Sequence, residues 1–401
     1  MGHMKFEHTQ PYENWFWEKN RIDLQQDYVQ EISTGSKSLQ LKSGGTVSYD
    51  KLIIASGSKP NKFGWPGQDL KGVQGLYSKQ DLDLLEENTK GGINSAVIVG
   101  RGLIGIELAE MLRSRNYPVT FLVRDDTFWG NVISKEEGDI IERHMLEHHI
   151  DLRLHSELEE IKPDTNGRVK SIVTKDGKEI DCQLVGLTAG VSPNVDFLKS
   201  SDIEIGRGVL VNEYLETNIP DIYAIGDCAE FVQHPSGDRR NIEQVWYTGK
   251  IMGKTLANNI CKNKAVYNPG HWFNSAKFMD IEYQTYGWIF PTPRDNEKHF
   301  YWEDKKGKKS VRINFNPKTQ EFIGINTFGI RMRHQAFDKW LTEKRSIEYV
   351  LTHLKDANFD PEFYKQHEQE IANKFNLENG TTISVKKANW KNLLSFSKQS
   401  K

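Results

Sequence analysis

Three glycines in the stretch Gly100-Arg101-Gly102-Leu103-Ile104-Gly105 have the spacing of a loop that binds a diphosphate. An apolar run at 96–99 precedes the loop, and residues 104–115 carry apolar side chains at helical spacing. In such a setting Gly100 permits a tight turn, Gly102 leaves room for a pyrophosphate, and Gly105 lets helix and strand pack closely. The helix N-terminus, at Leu103 and Ile104, would offer unpaired N–H groups to the phosphates. The loop therefore predicts a dinucleotide site, and the alternative is a glycine-rich turn without a ligand.

The next predicted strand, 119–123, ends at Arg124. An acidic side chain at this position would bind the adenosine ribose, whereas an arginine pairs with the 2′-phosphate of NADPH. Because no carboxylate occupies the strand end, Arg124 favours NADPH over NADH, although Asp125 and Asp126 follow and would repel the extra phosphate. The alternative is that Arg124 is a solvated residue just past a strand.

A third apolar strand, 222–225, ends at Gly226-Asp227. Taken alone, this pair is consistent with a simple turn. The longer stretch 217–227, however, resembles the second flavin-binding motif of the pyridine nucleotide-disulfide oxidoreductase family. Residues 49–57, which include Ala55 and Gly57, are similar to the family's strand ending in Ala-Thr-Gly, with Ser56 in place of threonine. Residues 188–194, which include Gly190, resemble the exit from its NAD(P) domain.

The resemblance extends in the family's order from about residue 25 to residue 265, and it implies FAD and NADPH or NADH as cofactors. Asp227 would accept a hydrogen bond from the flavin's ribityl chain. The helix after 241–248, a segment that contains Val245 and Trp246, would point its positive end at the flavin's pyrimidine edge. The alternative reading makes Trp246 and Tyr247 core aromatics. Hydride would pass from nicotinamide to flavin, and electrons would then leave to an acceptor that the sequence does not identify.

One departure concerns the FAD cradle. The family's FAD domain opens with its own glycine loop, and this sequence has only the one at 100–105. We therefore expect an N-terminally truncated chain, or a paralogue that has lost its flavin cradle, and in either case weak or no retention of FAD. The paired redox cysteines of many members would lie in the same region, so a ferredoxin or rubredoxin reductase or an NADH oxidase is as compatible as a disulfide reductase. Cys228 could be a redox thiol or a small buried residue.

A histidine pair and a lysine-rich stretch could each be a binding site or an ordinary surface feature. His144 and His148 are four residues apart on one predicted helix, the spacing of a metal pair. Because the sequence offers no third ligand in register, we expect a solvated helix face and no metal. Lysines flank Gly307 in the stretch 305–309. They predict a charged hairpin tip, and the alternative is a surface for an acidic electron-transfer protein.

The elements predict an α/β fold. The resemblance implies that a Rossmann-like NAD(P) domain is inserted in an incomplete FAD-binding domain and is followed by an α+β C-terminal domain. The expected parts are 1–92 and 213–268 for the FAD-binding domain, 93–212 for the NAD(P)-binding domain and 269–401 for an interface domain. The last part should end in a polar helical tail from about residue 335. In relatives such a domain often mediates dimerisation, so a homodimer is compatible with the resemblance.

Composition excludes other classes. The 401 residues carry a formal net charge of −2, so the chain lacks the excess of positive charge that general nucleic-acid binding requires. No apolar run reaches the roughly 18 residues of a membrane-spanning helix. We expect a cytoplasmic protein with three reduced cysteines. Two other functions stay open: a noncatalytic NAD(P)-binding or sensor module, and a flavin-free dehydrogenase, for which no proton-transfer residue stands out.

Overall fold

The computed structural model describes residues 4–237, 239–261, 263–359 and 365–386. Within these residues the helices are α1 (Asn14–Lys19), α2 (Lys79–Thr89), α3 (Leu103–Arg113), α4 (Lys135–Glu147), α5 (Trp246–Cys261), α6 (His334–Thr342), α7 (Ile347–Thr352) and α8 (Glu368–Asn379). Short 3-10 helices lie at Phe6–Thr9, Asp196–Leu198, Gly226–Cys228 and Leu354–Ala357.

Strands and helices alternate only from α2 to β9, and most of the other strands follow one another along the chain. The strands are β1 (Val29–Ser33), β2 (Ser38–Leu41), β3 (Thr46–Ser48), β4 (Leu52–Ile54), β5 (Ser58–Pro60), β6 (Val73–Gln74), β7 (Ala96–Gly100), β8 (Val119–Leu122), β9 (Ile150–Arg153), β10 (Leu158–Pro163), β11 (Val169–Thr174), β12 (Glu179–Asp181), β13 (Leu184–Thr188), β14 (Val191–Pro193), β15 (Val209–Val211), β16 (Ile222–Ala224), β17 (Ala229–Phe231), β18 (Phe273–Phe278), β19 (Ile281–Tyr286), β20 (Lys298–Glu303), β21 (Ser310–Phe315) and β22 (Phe322–Phe328).

The chain divides into two compact units. The first comprises the chain up to Ile98 together with Leu158–Pro269, and the second comprises Val99–Glu157 and the chain from Gly270 onward. The division falls inside β7, so the glycine loop and helix α3 belong to the second unit.

The first unit contains the N-terminal meander and the strands around the Gly226-Asp227 motif. Strands β1, β2 and β3 form an antiparallel sheet, as the sequence predicted. Strand β4 pairs in parallel with β16, β15 with β17, and β13 with β6, while β5 and β14 are antiparallel. Helix α5 packs on this unit through Met252 and Leu256, which are buried in its main core.

In the second unit, β8 is linked through α4 to β9, with which it pairs in parallel. The βαβ unit that the apolar pattern predicted is the one before it, over residues 96–123, where the structure has β7, α3 and β8 in that order. Ser134 caps α4: its hydroxyl accepts from the Glu137 N–H, and the Glu137 carboxylate accepts in return from the Ser134 N–H. The α/β fold class expected from the sequence is therefore confirmed.

The C-terminal part of the second unit is a five-stranded antiparallel sheet in the order β18-β19-β22-β21-β20. Helices α6, α7 and α8 share one hydrophobic core with this sheet. The helices expected in the polar tail are present, but they do not form a solvated tail, because Phe337 and Trp340 of α6 and Phe375 of α8 are buried in that core. Their spacing places them on the inward side of helices whose other positions are polar, which is why the stretch reads as polar overall.

No helix among the described residues combines the length and the apolar character needed to span a membrane.

Candidate functional site

The glycine loop connects β7 directly to α3, as its sequence predicted. Gly100 ends the strand, and Gly102 is the N-cap of the helix, with extended backbone at φ −138° and ψ −171°. No side chain caps this helix end, and the N–H groups of Gly105 and Ile106 bond back to the Gly102 carbonyl. The first turn, with Leu103 and Ile104, therefore leaves N–H groups and the positive end of an 11-residue helix for an anion.

Trp129 forms one wall beside this loop. A Cβ atom placed on Gly102 would lie 3.8 Å from the indole Cδ1 and Nε1 atoms, an ordinary van der Waals distance. Trp129 itself is 8% exposed and packs edge-on against Tyr283. Its backbone is in the left-handed region at φ 57°, a conformation that costs a non-glycine residue about 1 kcal/mol or more. Sequence reasoning missed this residue, because it lies 27 positions from Gly102 and carries no motif.

Arg124 lies where the sequence placed it, just past β8, and its side chain is 61% exposed. Its Nε atom lies 3.5 Å from Asp125 Oδ1. The other oxygen of Asp125 accepts a hydrogen bond from Arg101, within the glycine loop. Asp125, which was expected to repel a 2′-phosphate, is thus flanked by two guanidinium groups. Asp125 is therefore paired with arginines, whereas the neighbouring Asp126 still contributes a negative charge, so Arg101 and Arg124 balance the two aspartates.

In the first unit, Asp227 lies in a half-buried polar cluster. Its Oδ2 atom accepts hydrogen bonds from Tyr77 Oη at 3.2 Å and from Ser58 Oγ at 3.3 Å. Gln244 Nε2 in turn donates to Ser58 Oγ at 2.7 Å. Burial raises the pKa of Asp227, and the hydrogen bonds from Tyr77 and Ser58 oppose that rise. The sequence did not reveal these partners, because Ser58 and Tyr77 precede Asp227 by 169 and 150 positions.

Gly226, the residue before Asp227, provides an open backbone position. Its φ is +71°, and no atom lies within 4 Å of where a Cβ would be. Helix α5 packs against it from the side: the Cβ position of Gly249 is 3.6 Å from Gly226 Cα, and Met252 Sδ lies 3.2 Å from the Gly226 N–H. The first turn of α5 is therefore beside the Gly-Asp motif.

Trp246 begins α5 and is 69% exposed, so its reading as a core aromatic is wrong. The neighbouring Val245 and Tyr247 are of intermediate exposure. Thr248, two positions further along α5, is buried on the packed side of the helix. Residues two apart in a helix lie on nearly opposite sides, so the Trp246 indole points away from the packed side.

Three other residues implied by the resemblance follow strand ends. Ala55 comes directly after β4 and is exposed. Gly57 has φ +66°, and its Cβ position lies 3.0 Å from Tyr77 Oη, so a side chain there would displace the tyrosine. Gly190 has φ +94° and accepts a hydrogen bond from the Asn61 N–H.

All three cysteines are free, as expected. Cys228 is fully buried, with its Sγ atom 3.3 Å from the Ile225 carbonyl and 3.5 Å from the Ile54 carbonyl. Burial raises the pKa of this thiol, which disfavours the reactive thiolate. The structure therefore supports the interpretation of Cys228 as a packing residue.

Two predictions outside the dinucleotide motifs have different outcomes. The stretch 305–309 lies in the turn between β20 and β21, which confirms the hairpin tip. The solvated face expected for His144 and His148 is wrong, because His144 is 2% exposed and both rings lie next to Asp280. The hairpin between β18 and β19 supplies this third group, more than 130 residues along the chain.

Comparison with known proteins identifies the family. The family model "Pyridine nucleotide-disulphide oxidoreductase" matches residues 6–250, more than half of the chain. The chain belongs to this family. The family is one of oxidoreductases that use FAD and NAD(P)H, so the cofactor classes expected from the sequence are those of the family.

Among curated relatives, the NAD(P)H coenzyme A polysulfide/persulfide reductase of Pyrococcus horikoshii is 34% identical over 274 residues, which are 67% of this chain and 60% of the relative. The NADH-rubredoxin oxidoreductase of Clostridium acetobutylicum is 36% identical over 225 residues, 54% of this chain and 53% of the relative. The chain thus spans 60% or less of the length of these family members.

The fold of this chain also resembles that of solved structures. The NAD-dependent persulfide reductase from A. fulgidus matches with a TM-score of 0.78 and 22% identity, over 92% of this chain and 72% of that one.

Proposed function

We propose that this chain is the nicotinamide-binding and flavin-binding part of an FAD-dependent NAD(P)H oxidoreductase, which passes a hydride from the nicotinamide to FAD and then electrons to an acceptor. The observation that carries the proposal is the half-buried Asp227 carboxylate beside the open backbone of Gly226. A turn that bound nothing would not need a carboxylate withdrawn from water, because burying it raises its pKa and costs free energy.

The residues around Asp227 fit one edge of a flavin. Tyr77 and Ser58 each donate to Asp227, so its second oxygen stays available to accept from a ribityl hydroxyl. The first turn of α5 would bring partial positive charge to the flavin's N1 and C2 carbonyl region, where negative charge develops on reduction. Bound FAD would supply the redox chemistry, accepting the hydride at N5.

The glycine loop fits a nicotinamide dinucleotide. The uncapped first turn of α3 would bind its pyrophosphate, with no side chain on Gly102 to exclude it. Arg124 would pair with the 2′-phosphate of NADPH, helped by Arg101, while Asp125 holds both guanidinium groups at this end of the loop. We therefore propose NADPH as the preferred electron donor.

The electron acceptor is proposed only as a class. Relatives include a polysulfide/persulfide reductase and a rubredoxin reductase, so a small sulfur compound or an electron-transfer protein is the acceptor class that similarity favours. The buried Cys228 does not provide the redox thiol that a disulfide acceptor would exchange with.

The test is spectroscopic. We expect the purified chain to bind FAD in an equilibrium titration and, in the presence of saturating FAD, to let anaerobic NADPH bleach the flavin absorbance. Asp227→Asn should bind FAD more weakly, whereas Asp23→Asn, which alters an exposed carboxylate, should match the wild type. A chain that binds NADPH at the glycine loop yet takes up no FAD at saturating concentration would overturn the proposal and favour a noncatalytic nucleotide-binding module.

A further inference from the structure

A cluster of two histidines and one aspartate lies in the second unit, apart from the residues assigned to nucleotide binding. It consists of His144 and His148, in the last turn of α4 and its C-cap, and of Asp280, in the turn between β18 and β19. One donor atom from each lies within 4.8 Å of the others. We propose that this cluster binds a divalent transition-metal ion, with zinc as the best-fitting example.

The distances suit a small tetrahedral site. Asp280 Oδ1 lies 3.7 Å from His148 Nε2 and is in direct contact with His144 Nε2. Ligand atoms around tetrahedral zinc lie roughly 3.3 Å apart, given metal–nitrogen bonds of about 2.0–2.1 Å. A small outward movement of the Asp280 carboxylate would open the space for the ion. Three protein ligands leave a fourth position for water.

The second nitrogen of each ring has a partner suited to a metal ligand. His148 Nδ1 lies 2.9 Å from the His144 carbonyl oxygen. Because a carbonyl can only accept, Nδ1 carries the proton of the neutral ring, and Nε2 keeps its lone pair facing Asp280. His144 Nδ1 lies 3.5 Å from Glu147 Oε2, so a carboxylate stands beside the ring proton once Nε2 binds metal.

Burial and charge also favour a cation. His144 is 2% exposed. Asp280 and Glu147 are carboxylates, and Lys308 Nζ pairs with Glu147 at 2.8 Å. With neutral rings, these groups have a net single negative charge. The C-terminal end of α4 adds partial negative charge from its unpaired carbonyls.

The turn between β18 and β19 that carries Asp280 contains a residue with strained backbone. Phe278 pairs with Ile281, so Met279 and Asp280 form a two-residue turn. Met279 is in the left-handed region at φ 56°, a position that normally favours glycine, and its side chain is 5% exposed. The burial of Met279 thus stabilises a turn that costs backbone strain and that presents Asp280 to the two histidines.

Zinc titration of the full chain tests the proposal. After treatment with EDTA, we expect calorimetry with zinc chloride to show one site of micromolar or tighter affinity and magnesium chloride to show none. Asp280→Asn and His148→Gln should each weaken zinc binding by at least about tenfold, the loss that follows even removal of a partner of a ligand. The matched control is His149→Asn, which changes an exposed neighbour whose φ of 58° asparagine tolerates.

A second readout identifies the ligands. Cobalt substituted for zinc should give a spectrum without thiolate-to-cobalt charge transfer, and Cys261→Ser, which removes the exposed thiol, should leave affinity unchanged. Zinc binding that survives Asp280→Asn, that depends on Cys261, or that saturates only at millimolar zinc would overturn the assignment. Circular dichroism of each variant separates loss of the site from loss of the fold.

Discussion

At the scale of single residues, Asp221 shows how one carboxylate joins distant parts of the first unit. Its two oxygens bond Lys37 Nζ at 2.6 Å and Lys51 Nζ at 2.7 Å. Hydrogen bonds from these lysines lower the pKa of Asp221 from 3.8 to about 2. A folded-state pKa below the unfolded value stabilises the fold above pH 3.8, and this contribution disappears as pH falls towards 2.

Asp221→Asn should therefore lower the stability of the chain at pH 7 and have a smaller effect below about pH 4. Asparagine suits the test because Asp221 has φ +66°, where asparagine is tolerated, so charge is the main change. Urea unfolding at a series of pH values measures the difference from the wild type. A difference that stays constant from pH 7 to pH 3 would contradict the assignment, and Asp23→Asn serves as the control.

Arg124 determines the choice between the two nicotinamide cofactors in our proposal. Arg124→Ala should weaken NADPH binding by roughly tenfold or more, because a charge-assisted hydrogen bond contributes about 1.5–3 kcal/mol. NADH binding should change little, and both affinities can be measured by fluorescence titration. The control is Arg207→Ala, which removes an exposed arginine of the first unit. Equal losses for NADPH and NADH would contradict this role.

At the level of elements, the N-terminus of α3 has at Gly102 a backbone conformation that any residue can adopt. The pyrophosphate proposed to bind there nevertheless requires that this position carry no side chain. Gly102 has an ordinary extended conformation, and a methyl group would meet only Trp129 at 3.8 Å. Gly102→Ala should therefore leave the unfolding midpoint near that of the wild type. It should weaken both NADPH and NADH by roughly tenfold, about 1.4 kcal/mol, because the methyl group occupies space needed by the pyrophosphate.

Parallel thermal unfolding and nucleotide titration would check this separation of binding from stability. Gly35→Ala is a suitable control, since nothing lies within 4 Å of its Cβ position. Unimpaired binding by Gly102→Ala would show that the pyrophosphate does not approach this residue.

Helix α6 contributes large apolar side chains to the core although its stretch of sequence is polar overall. Phe337 is fully buried and stacks on Tyr286 of the sheet, with ring centroids 4.9 Å apart. Phe337→Ala should destabilise the second unit by about 3–5 kcal/mol, through lost burial and the cavity that remains. Lys339→Ala, at an exposed position of the same helix, should change stability by no more than about 0.5 kcal/mol. Denaturant unfolding followed by tryptophan fluorescence distinguishes these outcomes, and similar effects of both variants would refute the packing argument.

At the scale of the whole molecule, the two proposed binding regions belong to different compact units. The glycine loop and Arg124 are in the second unit, and Asp227 with Tyr77 is in the first. NADPH should therefore slow amide exchange mainly at residues 100–105 and 124, and FAD mainly at 57–58, 226–227 and 245–249. Hydrogen exchange read by mass spectrometry measures both patterns. Protection by FAD confined to the glycine loop would contradict the assignment of the two regions.

The domain boundaries 1–92, 93–212, 213–268 and 269–401, and the homodimer, remain predictions at this scale. The two compact units of the structure meet inside β7, at a place that no change of composition marks.

The local elements and the family resemblance could be predicted from the sequence, because hydrophobic periodicity and glycine spacing act over short distances along the chain. The strand, loop and helix around 96–113, the Gly226-Asp227 turn and the Lys-rich hairpin tip all follow from neighbours within a few positions. The tertiary structure decided which distant groups meet: Tyr77 and Ser58 at Asp227, Trp129 at Gly102, and Asp280 at the two histidines. These contacts depend on packing between elements far apart in sequence, and no local pattern of residue types predicts them.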